Sequence, residues 1–350
     1  MSLRAVGVVV GHAGSRLRDA VEDAVLAEQS GLGLVATGEH AWEGFVILGA
    51  LAARTERVEL FTTSNWTRTP VTTALAVTTV NELSDGRLRL SLGAMPQAWS
   101  EQVHGIAYAQ PVARMRDYIG AIRAAFLALP GEPAAHDGPF YTFHGYDRPN
   151  RPRPFAEGIY QSVTRPAMTR LAGEIADGVV INLMQSPEWI EGVALPALAE
   201  GLALAGRSRA DIDVAALRMC AVDADPRVAY DLLRQGLSYY FNVPYFRDVL
   251  EYHGFHDELA AGTAAAARSD TRAMAAACTD RVVDAIGLAG TPAQVRDKLR
   301  RYESLVDVVQ VMAPLEQTPA VTREQTRRII AVLAEVETDP CPAPFSRRTP

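Results

Sequence analysis

The stretch VELFTTSNWTRTPVTTALAVTTVNELSDGRLRLSLG (Val58 to Gly93) decides the fold. Its first five residues, Val58 to Thr62, form a short apolar run of the kind found in buried strands. Pro70 to Leu83 carries apolar residues at helical spacing, and a proline suits the first helical turn because its missing N–H is not needed there. Leu88 to Leu92 is the next apolar run. Strand, helix and strand in this order predict a parallel βαβ unit.

The same alternation continues on both sides of this unit. Further strands are predicted at Arg4 to Val10, Leu32 to Ala36, Gly158 to Val163, Gly178 to Asn182, Ile212 to Val222 and Val306 to Met312. Further helices are predicted at Leu17 to Gln29, Phe45 to Ala53, Val112 to Leu127, Pro166 to Ala176, Pro187 to Ala205, Pro292 to Tyr302 and Arg323 to Val336. Eight strands alternating with helices predict an α/β protein with a closed (β/α)8 TIM barrel. An open dinucleotide-binding sheet is disfavoured because no G-x-G-x-x-G follows the first strand.

Two segments depart from the alternation. Residues 128–157, after the fourth strand, are rich in proline, glycine and aromatic residues, and we interpret them as an insertion with a short hairpin at Gly138 to Phe143. Residues 226–284, between the seventh and eighth strands, form a predicted helical excursion. We expect a single domain over residues 1–338 and a flexible tail over 339–350.

The composition limits which binding partners and which cellular location are expected for this protein. The 350-residue chain has a net charge of −7 and no cluster of basic residues, which argues against nucleic-acid binding. Cys220, Cys278 and Cys341 are far apart and predict neither a disulfide framework nor a zinc site. No apolar stretch approaches the roughly 18 residues of a membrane span, and no signal-like segment opens the sequence. We therefore expect a cytoplasmic protein with no membrane partner.

Ligands of such barrels bind at the carboxyl ends of the strands, so the residues that follow each strand are the candidates for chemistry. The second strand runs into ATGEHAWEG, which brings Glu39, His40 and Trp42 to the mouth of the barrel. A histidine beside an acid can act as a general acid or base near neutral pH, and an indole can wall a planar ring. The alternative is a solvated loop histidine.

The third strand runs into TTSNWTRTP. Its hydroxyl and amide side chains, Thr63, Ser64 and Asn65, could hydrogen-bond a heteroaromatic ring. Arg68, close to the start of the next helix, could serve the same site or could be a surface charge at the helix terminus. Both interpretations remain open at this stage.

The fourth strand ends at Gly93, which permits a close approach of backbone to ligand. Ala94 and Met95 continue the same rim. The alternative for this segment is a plain turn from strand to helix.

The fifth strand runs into IYQSVTRPAM. Ser162, Thr164 and Arg165 stand at the N-terminus of the helix that begins at Pro166, where amide groups and the helix dipole favour an anion. We interpret this segment as a site for a single phosphate. The alternative is ordinary N-capping of that helix by Thr164.

Other catalytic patterns are missing from the sequence. The carboxylates show no paired spacing for glycoside hydrolysis, and there is no H-E-x-x-H or G-x-S-x-G motif. His253 and His256 are three residues apart, but Gly254 between them indicates a loop or a helix end. No metal site is expected.

Several segments resemble the luciferase-like superfamily of flavin- and deazaflavin-dependent oxidoreductases. They are AEQSGLGLVATGEHAW (Ala27 to Trp42), the stretch from Ala50 to Gly93, RMRDYI, IYQSVTRPAMTRLAGEIADGVVIN (Ile159 to Asn182) and GTPAQVRDKLRRYESL (Gly290 to Leu305). They occur in order and in register with the predicted strands.

This resemblance implies a dimeric TIM-barrel enzyme that binds FMN or the deazaflavin F420 at the C-terminal rim. It implies a catalytic His40, a non-proline cis peptide within Thr63 to Asn65 and a phosphate-contacting segment at Ser162 to Arg165. From their positions beside His40, we expect Glu39 and Trp42 to assist in catalysis. From their positions at the strand ends, we expect cofactor contacts at Gly93, Ala94 and Met95 after the fourth strand, and at Gln161, Ser162, Val163, Thr164 and Arg165 at the end of the fifth.

The choice of cofactor depends on two further similarities. The segment SYYFNVPYFRDVLEYHGF (Ser238 to Phe255) and Trp42 are similar to deazaflavin-dependent members, which favours F420 and hydride transfer on a small organic or natural-product substrate. The first alternative is a monooxygenase that receives reduced FMN from a partner flavin reductase. The second is a non-catalytic barrel subunit.

Overall fold

A computed structural model describes residues 3–39, 42–155 and 158–338. Its strands are β1 (Ala5–Val9), β2 (Leu34–Gly38), β3 (Glu59–Asn65), β4 (Leu88–Gly93), β5 (Ala134–Asp137), β6 (Thr142–Tyr146), β7 (Ile159–Val163), β8 (Gly178–Ile181), β9 (Asp213–Val222), β10 (Leu288–Gly290) and β11 (Val308–Met312). Its α-helices are α1 (Leu17–Gln29), α2 (Gly44–Ala52), α3 (Pro70–Leu83), α4 (Pro111–Phe126), α5 (Pro166–Ile175), α6 (Pro187–Trp189), α7 (Leu195–Leu204), α8 (Pro226–Ser238), α9 (Pro244–Tyr252), α10 (His256–Ala266), α11 (Thr271–Ala277), α12 (Asp280–Ile286), α13 (Pro292–Leu299) and α14 (Pro319–Leu333). Within these ranges, no helix combines the length and the apolar character that a bilayer crossing requires.

Eight of these strands close into a parallel barrel. Neighbouring strands pair in the order β1, β2, β3, β4, β7, β8, β9 and β11, and β11 returns to pair with β1. The helices pack around this sheet, as strand–helix alternation requires. The predicted TIM barrel is confirmed.

The remaining strands lie outside the closed barrel. β10 pairs only with the upper end of β9, Cys220 to Val222, and its three residues are too few to show a period in the sequence. In the insertion, β5 and β6 pair as an antiparallel hairpin whose turn falls within the predicted Gly138 to Phe143 segment. The excursion holds helices α8 to α12. The tail 339–350 lies outside the described residues.

A buried ionic network fills the N-terminal end of the barrel. Arg4 contacts Glu59 of β3 at 3.3 Å and Asp213 of β9 at 2.7 Å. Arg89 of β4 pairs with Glu59 at 2.9 Å, and the Tyr160 hydroxyl of β7 donates to Asp213 at 2.5 Å. Burial and the Asp213 carboxylate raise the pKa of Tyr160 well above its usual value, so the hydroxyl keeps its proton. Because β7 and β9 are not neighbours, these side chains meet inside the barrel.

This network identifies the inner face of every strand. Side chains alternate along a strand, and paired residues of parallel neighbours point the same way. Counting from Glu59 and following the register, the inward residues toward the C-terminal end are Phe61, Thr63 and Asn65 of β3, Ser91 and Gly93 of β4, and Ser162 of β7. The rings of Phe61 and Tyr160, 5.0 Å apart at their centroids on non-adjacent strands, agree with this count.

Glu28 of α1 organises the loop that enters β3. Its carboxylate accepts hydrogen bonds from the backbone N–H groups of Glu56, Arg57 and Val58 at 2.6 to 3.1 Å. Burial would raise the pKa of Glu28, but these N–H donors outweigh it and hold the pKa below its usual value. One charged side chain therefore fixes the start of a strand that leads to the mouth.

We expect Glu28→Gln to lower the free energy of unfolding by roughly 1 to 2 kcal/mol at neutral pH, allowing for the solvent exposure of the carboxylate. Because the pKa of Glu28 is lower in the folded state, its contribution is present above the usual carboxyl pKa and is lost as the pH falls through the folded value. Urea unfolding at neutral and acidic pH measures both effects. Glu22→Gln on the same helix, where Glu22 pairs with Arg323 at the surface, is the matched control; a loss as small as the control's would contradict the assignment.

Candidate active site

The C-terminal ends of β2, β3, β4 and β7 form one wall of the barrel mouth, and its inward residues are small. They are Gly38, Thr63, Asn65, Gly93 and Ser162. Ser162 Oγ is hydrogen-bonded at 2.6 Å to Ser91 Oγ one layer below. A Cβ on Gly38 would meet no atom of the described residues within 4 Å, and one on Gly93 would lie 3.3 Å from Ser162 Cβ. The described residues therefore leave this wall flat, with hydroxyl and amide groups along it.

Three residues predicted to contact a cofactor face away from this wall. Ser64, Gln161 and Val163 alternate with inward residues, so their side chains point toward the surrounding helices. Gln161 is fully buried, and neither polar atom of its amide has a hydrogen-bond partner. Side-chain contacts of these three residues with a ligand in the mouth are therefore not expected, and a contact through their backbone groups stays a prediction.

The predicted cis peptide is also corrected. All peptide bonds in the described part of the chain are trans. Thr63 to Asn65 continue β3 as regular strand, in register with β4 up to the pair of Asn65 and Gly93. Ladder pairing keeps this backbone extended.

Glu39 belongs to an ion-pair cluster behind the mouth. Its carboxylate accepts a hydrogen bond from Ser64 Oγ at 2.9 Å and pairs with Arg68, which also pairs with Glu43. The Arg68 guanidinium lies 5.2 Å from the centroid of the Phe45 ring. Burial would lower the pKa of Arg68, but the two carboxylates raise it. The cluster joins the starts of α2 and α3 to the ends of β2 and β3, so Arg68 is not a loose surface charge.

The other two residues predicted to be catalytic follow β2. Trp42 is 43% exposed, so its indole is not used to fill the core. An exposed indole at a rim can pack against a planar ligand. His40 lies outside the described residues, and its role stays a prediction.

The rim after β4 is an ordered loop. Ala94 is half-buried against the core, and Met95 is buried. Further along, Ser100 Oγ donates to the carbonyl of Ile106 at 2.8 Å, and Arg114 of α4 donates to the carbonyl of Ala107 at 2.9 Å. These bonds hold the loop against the barrel beside Gly93.

Helix α5, which follows β7 after a short turn, has no side-chain cap at its N-terminus. Arg165 occupies the N-cap position, and no side chain caps the helix, so the interpretation of Thr164 as the cap is wrong. Thr164 instead presents its carbonyl oxygen to Gln185 Nε2 at 2.5 Å. Arg165 Nε pairs with Asp248 Oδ2 at 3.2 Å. The first turn of this ten-residue helix offers amide groups to an anion.

His12 is a rim residue that the sequence analysis missed. It follows β1, is 7% exposed, and its Nδ1 lies 2.9 Å from the carbonyl oxygen of Ala13. That contact requires Nδ1 to donate, and the buried Nε2 has no partner in the part of the chain that the structure describes. Burial lowers the pKa of His12, which favours the neutral ring. The criterion that selected His40, a polar residue shortly after a predicted strand, also selects His12 at the end of VVVGH.

The helical excursion covers part of the mouth. A Cβ on Gly236 of α8 would lie 2.7 Å from Met219 Sδ and 2.9 Å from the Leu315 nitrogen, so α8 rests directly on the ends of β9 and β11. Tyr245 of α9 is hydrogen-bonded to the side chain of Asn182 after β8, and burial raises the pKa of Tyr245 to about 12. The excursion therefore shields the β8, β9 and β11 side of the mouth, opposite the flat wall.

The remaining candidates for metal or thiol chemistry have structural surroundings. His253 Nε2 lies 2.8 Å from Ser186 Oγ, the side-chain cap of α6, whereas His256 begins α10. Cys220 and Cys278 are buried thiols, and burial raises the pKa of both. Residues 3–39, 42–155 and 158–338 contain no group of three histidine, cysteine or carboxylate side chains placed to hold a metal ion.

The described arrangement suits a planar ring that carries a phosphate. The small inward residues of β2, β3, β4 and β7 leave a flat surface whose hydroxyl and amide groups can meet the edges of a heteroaromatic ring. The uncapped start of α5 stands next to Ser162 in the chain, within reach of a phosphate on the same ligand.

Comparisons with known proteins place the chain in a family. The luciferase-like monooxygenase family matches residues 3–307. A 5,10-methylenetetrahydromethanopterin reductase of Methanolobus tindarius is 34% identical over 295 residues, covering 81% of this chain and 86% of that protein. An F420-dependent glucose-6-phosphate dehydrogenase of Beutenbergia cavernae is 34% identical over 237 residues, covering 62% and 68%.

A solved structure agrees with the fold. The coenzyme F420-dependent tetrahydromethanopterin reductase of Methanopyrus kandleri superposes with a TM-score of 0.82 at 22% identity, covering 96% of this chain and 98% of that one. The shared architecture therefore extends beyond the residues that the family match covers. The chain belongs to the luciferase-like monooxygenase family of oxidoreductases, and it is an enzyme.

Proposed function

We propose that this enzyme is an F420-dependent oxidoreductase that transfers hydride to or from a small organic or natural-product substrate. The observation that carries the proposal is the flat wall of small residues at the mouth, in a chain that is 34% identical to an enzyme named as F420-dependent. A planar tricyclic ring needs such a surface, because any larger inward side chain would occupy its place.

The residues present fit this cofactor. The ring would lie against Gly38, Thr63 and Gly93, with Ser162 at its edge, and the phosphate would meet the first turn of α5. When bound, F420 supplies a site that accepts or releases a hydride. Trp42 would pack on the exposed side of the ligand.

The protein's own contribution is charge stabilisation and exclusion of water. His40 would hold a proton near the bound ring and so stabilise negative charge there during hydride transfer. The excursion, anchored by Gly236 and Tyr245, shields one side of the mouth from water and so strengthens that interaction. Its helices and the insertion would shape the substrate site.

A monooxygenase that uses reduced FMN from a partner reductase is the second candidate. The family description favours it, since it names monooxygenases, and the wall at Gly38 and Gly93 accepts an isoalloxazine as well as a deazaflavin ring. In that case His40 would support oxygen activation, and the mouth would have to admit oxygen.

We also propose that the enzyme works as a homodimer in the cytoplasm. Apolar side chains on α2 and α3 are exposed in the single chain, with Val46 at 72% and Leu75 at 47%. Such residues gain stability when a second subunit covers them. Analytical ultracentrifugation at micromolar concentration gives the oligomeric state directly, and a monomer there would contradict the proposal.

Parallel titration with F420 and FMN, oxidised and reduced, tests the cofactor assignment. The purified protein is expected to bind F420 with a dissociation constant in the micromolar range or below and to bind FMN at least about tenfold more weakly. Tight FMN binding with negligible affinity for F420 would overturn the assignment in favour of the monooxygenase.

We expect Gly93→Val to weaken cofactor binding by about 100-fold, with the fold retained. A Cβ at this position already lies 3.3 Å from Ser162 Cβ and 3.8 Å from Thr63 Cγ2, so the two valine methyl groups must project into the ring's place. Fluorescence titration measures the loss. Gly49→Val on α2, where a Cβ meets nothing within 4 Å, is the matched control and should bind as the wild type does.

A further inference from the structure

Arg218 of β9 is a fully buried cation that binds peptide carbonyls instead of a carboxylate. Its Nη2 donates to the carbonyl of Asn182 at 2.5 Å, and its Nη1 donates to the carbonyl of Gln185. Its guanidinium lies 5.4 Å from the centroid of the Tyr302 ring. Burial lowers the pKa of Arg218, yet an arginine stays charged at neutral pH.

Burying this charge is unfavourable for the fold alone. A charge removed from water is stabilised only when its donors are well matched, and Nε of Arg218 has no acceptor among the described residues. An apolar side chain of similar length would fill the same space without that penalty. The benefit of the arginine must therefore come from what it holds, which is the loop after β8.

Gln185, in the loop after β8, connects Arg218 to the turn before α5. Gln185 is buried, and its backbone is held from one side by Arg218 and from the other by a bond from its own N–H to the Asn182 carbonyl at 3.1 Å. With its backbone fixed, the Gln185 side chain reaches across and donates to the Thr164 carbonyl at 2.5 Å. Arg218 thus controls a peptide on another strand, two hydrogen bonds away.

The controlled peptide lies at the predicted phosphate position. In a trans peptide the carbonyl and the following N–H point in opposite directions. Gln185 therefore holds the Thr164 carbonyl on the β8 side, and this directs the Arg165 N–H away from β8 at the uncapped start of α5. That amide is preorganised for an anion before any ligand arrives.

We propose that Arg218 is a positioning residue that sets the enzyme's affinity for the cofactor's phosphate through Gln185 and Thr164. The proposal deepens the proposed function and rests on it, because it assumes a phosphate-bearing cofactor at the mouth. Arg218 would then affect binding of the phosphate but not binding of the ring, because the ring would lie against residues that Arg218 does not contact.

The test compares F420 with its chromophore fragment that lacks the phosphate-bearing tail. Arg218→Met is expected to raise the dissociation constant of F420 by about tenfold, as for loss of one well-placed hydrogen bond to an anion, and to change that of the fragment by less than about twofold. Arg218→Lys keeps the charge, but one ammonium group cannot replace the two-armed contact, so partial rescue is expected. Gln185→Leu should reproduce the tenfold loss, and the double variant should bind no more weakly than either single one.

Arg87 supplies the matched control. It is a buried arginine at the opposite end of the barrel that also donates to carbonyls, those of Ser84, Val58 and Thr55 at 2.8 to 2.9 Å. Arg87→Met should lower stability without changing either dissociation constant.

Each outcome of these titrations supports or overturns the proposed role of Arg218. Equal losses for F420 and the fragment, or no loss for either, would overturn the role of Arg218. If Arg218→Met does not fold, Gln185→Leu decides alone. If the wild type does not bind F420, the proposed cofactor is wrong, and the same comparison with FMN and riboflavin decides whether Arg218 positions the phosphate site.

Discussion

His40→Ala is expected to lower turnover by roughly 100- to 10,000-fold, the range over which a positioned acid or base contributes to catalysis, while cofactor affinity changes little. His40 comes two residues after Gly38, the last residue of β2 and part of the flat wall. A histidine at that point of the chain can hold a proton close to the ring as charge develops on it. Steady-state assays under saturating cofactor, with cofactor titration in parallel, separate kcat from binding.

The matched control is Glu22→Gln. Glu22 lies on α1, away from the mouth, and pairs with Arg323 at the surface, so its replacement should leave turnover unchanged. Full turnover by His40→Ala would remove His40 from the mechanism, and His12 would then be the histidine to replace next.

Glu59→Gln is expected to lower the free energy of unfolding by about 3 to 5 kcal/mol. Glu59 neutralises both Arg4 and Arg89 in the floor of the barrel, where its own side chain is 7% exposed. Without its charge, both guanidinium groups stay buried and lose the carboxylate that they share, while Arg4 keeps its pair with Asp213. Removing one partner of a buried ion pair is strongly destabilising because the other charge remains out of water.

Urea denaturation measures this loss, and Glu43→Gln is its control. Glu43 pairs with Arg68, but its side chain is 43% exposed, so the loss there should stay below about 1 kcal/mol. Equal effects of the two substitutions would mean that water reaches the floor of the barrel. Cofactor affinity of folded Glu59→Gln protein should be unchanged, because the floor and the mouth lie at opposite ends of the strands.

The strands could be predicted from sequence because each is a short apolar run that shows up within a few residues, as in VELFT and LRLSL. The three residues of β10 show no such run and become a strand only by pairing with the extended end of β9. The position of the excursion over the mouth depends on contacts such as Gly236 with Met219, which are close in space and distant in sequence.

The candidate site was predictable in location but not in orientation. Residues after strands were identified as a group, yet the pleat turns Ser64 and Gln161 outward while Thr63 and Ser162 face the mouth. The two faces become clear only from the strand register together with the Glu59 network, which marks the inner face. The link from Arg218 to Thr164 spans three strands and leaves no local pattern in the sequence.

A crystal structure of the enzyme with bound F420 is the most direct test of the proposed cofactor site. The deazaflavin ring is expected against Gly38, Thr63 and Gly93, and the phosphate at the Thr164 to Pro166 turn with a hydrogen bond from the Arg165 N–H. A ring bound away from this wall, or a phosphate held elsewhere on the rim, would contradict it.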